Sequence, residues 1–293
     1  KDAPTVGIGL CQVETELWDV EGNLARTLAA LEQVAQEKAD VAITPECVLQ
    51  GYPIAKAREE NLRRYAEVAE PADGKRIAAV MKLAQAKKMY IVFGFIERAR
   101  DAFYNSAAII RPDGTLADIY RKVHCRKGEN VQYTGGFTPG DRFITTEIVA
   151  KSASFRMGTM ICFDREIPES ARCLRAMGAQ LIACPMAWDT ECLACHFDYA
   201  HNGMLTRCRA AENEVFIAVV NHAGRFNGGS FMVGPGGEAY AQFGAVPAAR
   251  VLHLPIAALT EKLHANPWGW AGWGYRRPEV YEKCLGARGK RDK

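Results

Sequence analysis

The chain has 293 residues with 48% hydrophobic, 24% charged and 9% aromatic content, values near those of ordinary soluble domains, which exclude a fibrous or disordered polymer. A net charge of +3, from 37 Lys and Arg against 34 Asp and Glu, is too small to point to a polyanionic partner. The strongest apolar runs, 90–96 and 215–220, fall far short of the ~20 residues that span a bilayer.

In chain order, Val6 to Val13 reads as a strand, and Asn23 as the cap of a helix running through Leu24, Leu28, Leu31 and Val34 to Lys38. Val41 to Thr44 follows as a buried strand, then a helix from Lys75 to Lys88 and the strand Tyr90 to Ile96. Asn105 to Ile110 and Leu116 to Tyr120 flank Arg111-Pro-Asp-Gly-Thr115, a hairpin signal. The second half predicts strands around Glu147 to Val149 and Met157 to Ile161, a helix from about Pro168 to Met177, and the strand Gln180 to Cys184. A longer helix from His196 to Asn213, the strand Val215 to Asn221 and strands around Gly234-Pro-Gly-Gly237 complete the series. With periods of two and 3.6 interleaved throughout, no repeats and no Pro/Ser-rich joint, residues 1–293 read as one layered α/β domain.

The first thirty residues carry Asp2, Glu14, Glu16, Asp19 and Glu21 and no basic head before an apolar stretch, so a secretion signal is not expected and a cytoplasmic protein is. Ten cysteines, several in apolar segments (Cys11, Cys47, Cys184), read as reduced packing residues, because a chain of this length has core enough without staples.

Three β-like runs end on Glu46, Lys122 and Cys162, a carboxylate, an ammonium and a thiol that only a fold gathering its strand ends can bring together. Attack on an amide carbon needs a strong nucleophile, which a thiolate supplies if its pKa is brought down from about 8.5 by a positive neighbour or an adjacent base. Cys162 lies between the strand Met157 to Ile161 and Phe163-Asp-Arg-Glu-Ile-Pro168, which opens a helix; a sharp turn there would present its sulfur at the sheet edge, as a nucleophile elbow does. Glu46 would take the thiol proton, return it to the leaving amine and then activate water. Lys122 and the N–H of Phe163 would meet the developing oxyanion, where losing a donor costs roughly 3 to 4 kcal/mol of barrier. Singly, each residue also fits an ordinary role: a solvated loop Glu, a surface Lys, a core Cys.

The segments Pro45-Glu46-x5-Gly-Tyr-Pro53, Tyr120-Arg-Lys-x-His124 and Gly158-x3-Cys-x-Asp164-x3-Pro-Glu169 resemble, in order, the signature blocks of the nitrilase superfamily, the carbon-nitrogen hydrolases. Phe137-x-Pro-Gly-Asp141, Arg209-Ala-x-Glu-Asn213 and Arg277-Pro-Glu-x-Tyr281 extend the likeness over nearly the whole chain. The resemblance implies a four-layer α-β-β-α sandwich, Glu46, Lys122 and Cys162 as base, oxyanion partner and nucleophile, a thioester intermediate, no cofactor or metal, and a homodimer or larger homo-oligomer. It also implies a second active-site glutamate, for which Glu129 stands in place, a solvated turn residue being the alternative. Phe163-Asp164 after the cysteine, where true nitrilases carry Trp-Glu, favours amide over nitrile substrates. Cys162-Phe-Asp-Arg-Glu166 is most similar to the amidase and N-carbamoyl hydrolase branches, which release ammonia.

Tyr52, Trp188 and Phe163 are candidate pocket walls that serve equally as core aromatics, and a small carboxamide with an apolar or aromatic acyl part is the expected substrate. The tail from about 262 holds Trp268, Trp270 and Trp273 and either packs on its own domain or wraps a neighbouring subunit. Two other classes compete. Cys192-Leu-Ala-Cys195-His196 matches the c-type haem attachment pattern, with zinc as a variant needing further ligands such as His201. Arg121, Lys122, His124, Arg126 and Lys127 form a basic cluster of the kind that binds nucleic acid, though without interleaved aromatics. A catalytically dead relative retained for binding is the last alternative.

Overall fold

Alternating side chains that find apolar surroundings on both faces build the first sheet. In β1 (Val6–Gln12), β2 (Val41–Ile43), β3 (Tyr90–Ala99) and β4 (Ala102–Ile110) successive residues point to opposite sides. Val6, Ile8, Leu10, Val41, Ile43, Val92, Ala107 and Ile109 join one core, whereas Cys11, Ala42, Ile91, Phe93, Ala108 and Ile110 join another. The structure, a computed structural model, describes residues 3–53, 58–188, 199–265 and 272–285. Helices α1 (Val20–Gln36) and α3 (Lys75–Lys87) close the outer core through Leu24, Leu31, Val34, Ile77, Val80 and Ala84. Between them α2 (Arg58–Val68) seats Tyr65, which stacks on Phe137 at 4.7 Å.

With β5 (Leu116–Arg121) and β12 (Ala248–Leu254), the first sheet has the order β12-β1-β2-β3-β4-β5. The second, in the order β11-β10-β9-β8-β7-β6, contains β6 (Ile144–Val149), β7 (Ser154–Thr159), β8 (Leu181–Pro185), β9 (Phe216–Val220), β10 (Phe231–Val233) and β11 (Ala239–Gln242). Leu181, Phe216 and Val233 share the inner core with the first sheet, so the two sheets face one another. Helices α4 (Pro168–Ala176), α5 (Tyr199–Asn213) and α6 (Ile256–His264) add Leu174, Ala210 and Ile256 to it, and α7 (Pro278–Leu285) follows. This is the α-β-β-α sandwich expected. Each sheet has three adjacent parallel strands, β1-β2-β3 and β7-β8-β9, and the carboxyl ends of such strands are where α/β folds place their chemistry.

Two local readings change. Helix α1 starts a turn earlier than expected, capped by Asp19, whose carboxylate accepts from the Gly22 N–H at 3.0 Å. Asn23 instead lies buried in the first turn and ties the incoming loop to the helix, accepting from Glu16 N at 2.9 Å and donating to Glu16 O at 2.8 Å. The helix expected from His196 is seen from Tyr199, and 196–198 lie outside the described residues, as do Trp268 and Trp270. Trp273 packs against Arg175 and Arg276, each 4.3 Å from its ring centre. Among the described residues no helix is long and apolar enough to cross a membrane.

Candidate active site

Glu46 stands three residues beyond β2, in a turn pressed against β3 so closely that only Gly94 fits beneath it. A Cβ there would lie 2.1 Å from the Pro45 carbonyl oxygen. The turn is held from the second sheet as well: Glu46 N donates to Met186 O at 3.2 Å, and Glu46 O lies 2.7 Å from His222 Nε2. A carbonyl only accepts, so His222 carries its proton on Nε2 and its Nδ1 accepts from the Thr15 hydroxyl at 2.8 Å. Burial pushes the His222 pKa down to about 4, keeping the ring neutral.

Lys122 follows β5 directly, its backbone N–H held by Asn105 O at 2.9 Å. Its flanks are tied to the turn bearing Cys162 by one buried carboxylate. Asp164 accepts Tyr120 Oη–H at 2.7 Å and Ile161 N–H at 3.0 Å on Oδ2, and His124 N–H at 2.8 Å and Nδ1–H at 2.9 Å on Oδ1. Cys162 lies three residues beyond β7 and opens a 3-10 turn, Cys162–Glu166, with φ of 44°. Cys47, next to Glu46, also sits in the left-handed region at 48°. Backbone conformations unfavourable for a side chain at both places are the kind of strain that gathers at reactive centres.

The Lys122 ammonium donates to Glu46 Oε1 at 2.8 Å and Glu129 Oε1 at 2.6 Å, all three side chains being buried. Glu129 also accepts from Tyr52 Oη at 2.8 Å and Arg126 N at 2.8 Å, so it is part of the cluster and not a solvated turn residue. Gly135 permits that turn, since a Cβ there would come within 2.0 Å of the Glu129 carbonyl carbon. Burial works against the charge on Lys122, but Glu129 and Glu46 outweigh it and hold the ammonium well above its ordinary pKa. Burial pushes Glu46 up, opposed by Lys122.

Cys162 differs from its expectation in two respects. It is 5% exposed rather than presented at an open edge, and burial together with the Glu46 charge lifts its pKa well above that of a free thiol. Lys122 acts to lower it, but that charge is already balanced by two carboxylates. At neutral pH the sulfur therefore rests as a thiol. Glu46 Oε2 is buried and, among the described residues, has no hydrogen-bond partner, while Oε1 is filled.

Tyr52 lies in the cluster, its ring edge-on to Phe226 at 6.0 Å. Phe163 follows the cysteine, and Trp188 stands three residues beyond β8, stacked on Arg165 at 5.4 Å and held by Asn221 Oδ1 at 2.9 Å. The basic cluster is not one continuous patch: Lys122 is buried and Arg121 pairs with Glu97 through two hydrogen bonds of 2.8 and 2.6 Å, whereas Arg126 and Lys127 are exposed. Cys192, Cys195 and His196 lie outside the described residues. An open cavity of ≈ 300 Å³ on the outer edge of β5, lined by Leu116, Asp118, Arg121 and Arg142 among others, shares no residue with the group formed by Glu46, Lys122, Glu129 and Cys162.

Asn105, His222 and Thr15 were not singled out from the sequence. Thr15 and His222 carried the signal that marked Glu46 and Cys162, a polar residue just past the end of an apolar strand, whereas Asn105 lies within β4 and carried none.

The carbon-nitrogen hydrolase family profile matches residues 7–252. An (R)-stereoselective amidase of a Pseudomonas species is 31% identical over 258 residues, 86% of this chain and 86% of that protein. An N-carbamoylputrescine amidase of Solanum lycopersicum is 30% identical over 283 residues, 91% of each. Among solved structures, an amidase from a Nesterenkonia species has a TM-score of 0.76 at 23% identity, covering 97% of this chain and 98% of that one. A glutamine-for-glutamate variant of that enzyme, described as carrying the acetamide moiety of fluoroacetamide on the active-site cysteine, has a TM-score of 0.77 at 22% identity over 97% and 98%.

Proposed function

Because the chain belongs to the carbon-nitrogen hydrolase family, we propose that it hydrolyses the C–N bond of a small carboxamide, releasing ammonia by way of an acyl thioester on Cys162. The observation that carries this reading is a buried carboxylate, Glu46, with one oxygen filled by Lys122 and the other open, in the same electrostatic neighbourhood as a buried thiol.

As Cys162 Sγ bonds to the amide carbon, Glu46 Oε2 takes its proton, and the carbonyl electron pair moves to oxygen. Lys122 Nζ and the Phe163 N–H, at the opening of its turn, stabilise that oxyanion. On collapse the C–N bond breaks, and Glu46 passes the proton to the leaving nitrogen. Water then enters, gives a proton to Glu46 and adds to the thioester carbon. The second collapse breaks C–S, the sulfur recovers its proton, and a carboxylic acid leaves. Glu129 keeps Lys122 charged and in place, and the reading calls on no cofactor.

Tyr52 and Phe163 suit an apolar or aromatic acyl group. The tomato relative favours a second reading, hydrolysis of an N-carbamoyl compound. Met177, beyond α4, and Met204, on α5, are exposed, and self-association would cover them, in keeping with a homo-oligomer. Free thiols at Cys11, Cys47, Cys162 and Cys184 suit a reducing, cytoplasmic setting.

An ammonia-release screen over simple amides, N-carbamoyl compounds and nitriles, run beside Cys162→Ala, tests the reading. Release from amides, an acyl adduct on Cys162 by mass spectrometry, and an inactive but folded variant are expected. Turnover surviving in Cys162→Ala would overturn it.

A further inference from the structure

We propose that Asn105 is a positioning residue for the proton-transfer step, fixing which oxygen of Glu46 stays open, and that the Cys47 thiol sets the direction of the Asn105 amide. This rests on the function proposed above, with Glu46 as the base.

Asn105, on β4 and 1% exposed, touches Glu46, Glu129 and Lys122. Its Nδ2 donates to Glu46 Oε1 at 2.6 Å and reaches Glu129 Oε1 at 3.4 Å, and its main-chain oxygen takes the Lys122 N–H. Its Oδ1 accepts from Cys47 Sγ at 3.4 Å. The opposite amide orientation would aim Oδ1 at two carboxylates and lose both hydrogen bonds.

Two donors on Oε1 hold the Glu46 carboxylate against rotation, and one belongs to Lys122, the end of a long side chain. Asn105, short and anchored in the middle of a paired strand, is the rigid donor of the two. Without it the oxygens could exchange, and the open one would no longer be fixed toward the reaction. Cys47 supplies the counter-donor from the adjacent residue: it is fully buried, and desolvation with the Glu46 charge keeps it an S–H.

The test measures Cys162 alkylation by iodoacetamide, located by peptide mass spectrometry, from about pH 5 to pH 9, with kcat and KM on an amide that the wild type turns over. Cys47→Ala should slow alkylation and lower kcat about 3- to 10-fold with KM little changed, and Cys47→Ser, which restores a donor, should recover most of the loss. Asn105→Asp adds a carboxylate beside Glu46, Glu129, Lys122, Tyr52, Cys47 and Cys162, and should move the acid limb of both profiles upward by about one pH unit. The inference fails if Cys47→Ala is alkylated at the wild-type rate, if serine does not rescue it, or if the Asn105→Asp limb stays in place. A wild type that releases no ammonia from any amide would sink the proposed function, while the alkylation rates would still decide the role of Asn105 and Cys47.

Discussion

Four donors converge on Glu129, from Lys122, Tyr52, Asn105 and Arg126, and they occupy both of its oxygens. Glu46 has the same functional group but, among the described residues, keeps one oxygen without a partner, which suits the proposed division of roles: Glu46 exchanging the proton and Glu129 holding Lys122. Its hold is electrostatic, because of the charges that raise the Lys122 pKa against burial, Glu129 contributes most. Glu129→Gln should therefore lower kcat about 10- to 100-fold, the worth of a charged hydrogen bond. It should also bring the alkaline limb of the rate profile down, as Lys122 loses its proton more readily. Steady-state rates against pH would show this, and an alkaline limb that stays put would exclude Glu129 as the group sustaining that charge.

At the scale of elements, β5 and the turn after β7 belong to different sheets, yet Asp164 binds them to each other through Tyr120, His124 and Ile161. This explains why the Tyr-x-Lys-x-His and Cys-x-Asp spacings were legible: the residues two away from the lysine and from the cysteine are those that meet. Strand ends were legible too, since β2 is an apolar run leading to Glu46, β5 leads directly to Lys122, and the apolar end of β7 leads to Cys162. The pairing of β12 with β1 was not, because partners such as Val6 and Leu254 lie far apart in sequence and neither run marks the other locally. Asn105 escaped for a similar reason: an amide in a strand gains meaning only when three other segments fold onto it. Tyr120→Phe tests the clasp by removing one of four donors from a buried carboxylate. Stability should fall by about 1.5 to 3 kcal/mol in denaturant unfolding, with a further loss in kcat at native-favouring conditions. Unchanged kcat in the destabilised variant would mean that the clasp serves the fold alone.

Across the whole molecule the two sheets are tied to each other by contacts between them, and His222 is one of the pins. It follows β9 of the second sheet, and its ring joins Thr15 and Glu46, which follow β1 and β2 of the first. The pin works only while the imidazole is neutral, because protonating Nδ1 removes the acceptor for Thr15 and buries a charge next to Arg225. Since the folded-state pKa is about 4 against an unfolded value of 6.5, the native state binds fewer protons than the unfolded chain between those limits. Stability from this residue is full above 6.5, declines as pH falls, and is gone below 4, a loss of up to about 3 kcal/mol. Glu46, with its pKa raised, works in the opposite direction as pH falls, but it is common to the wild type and a His222→Gln variant and drops out of their difference. Urea unfolding over that pH range should give a wild type that weakens with acid more steeply than His222→Gln, even if the variant starts from lower stability. Parallel curves would show that His222 is already charged in the native state, and the neutral link between the sheets would have to be abandoned.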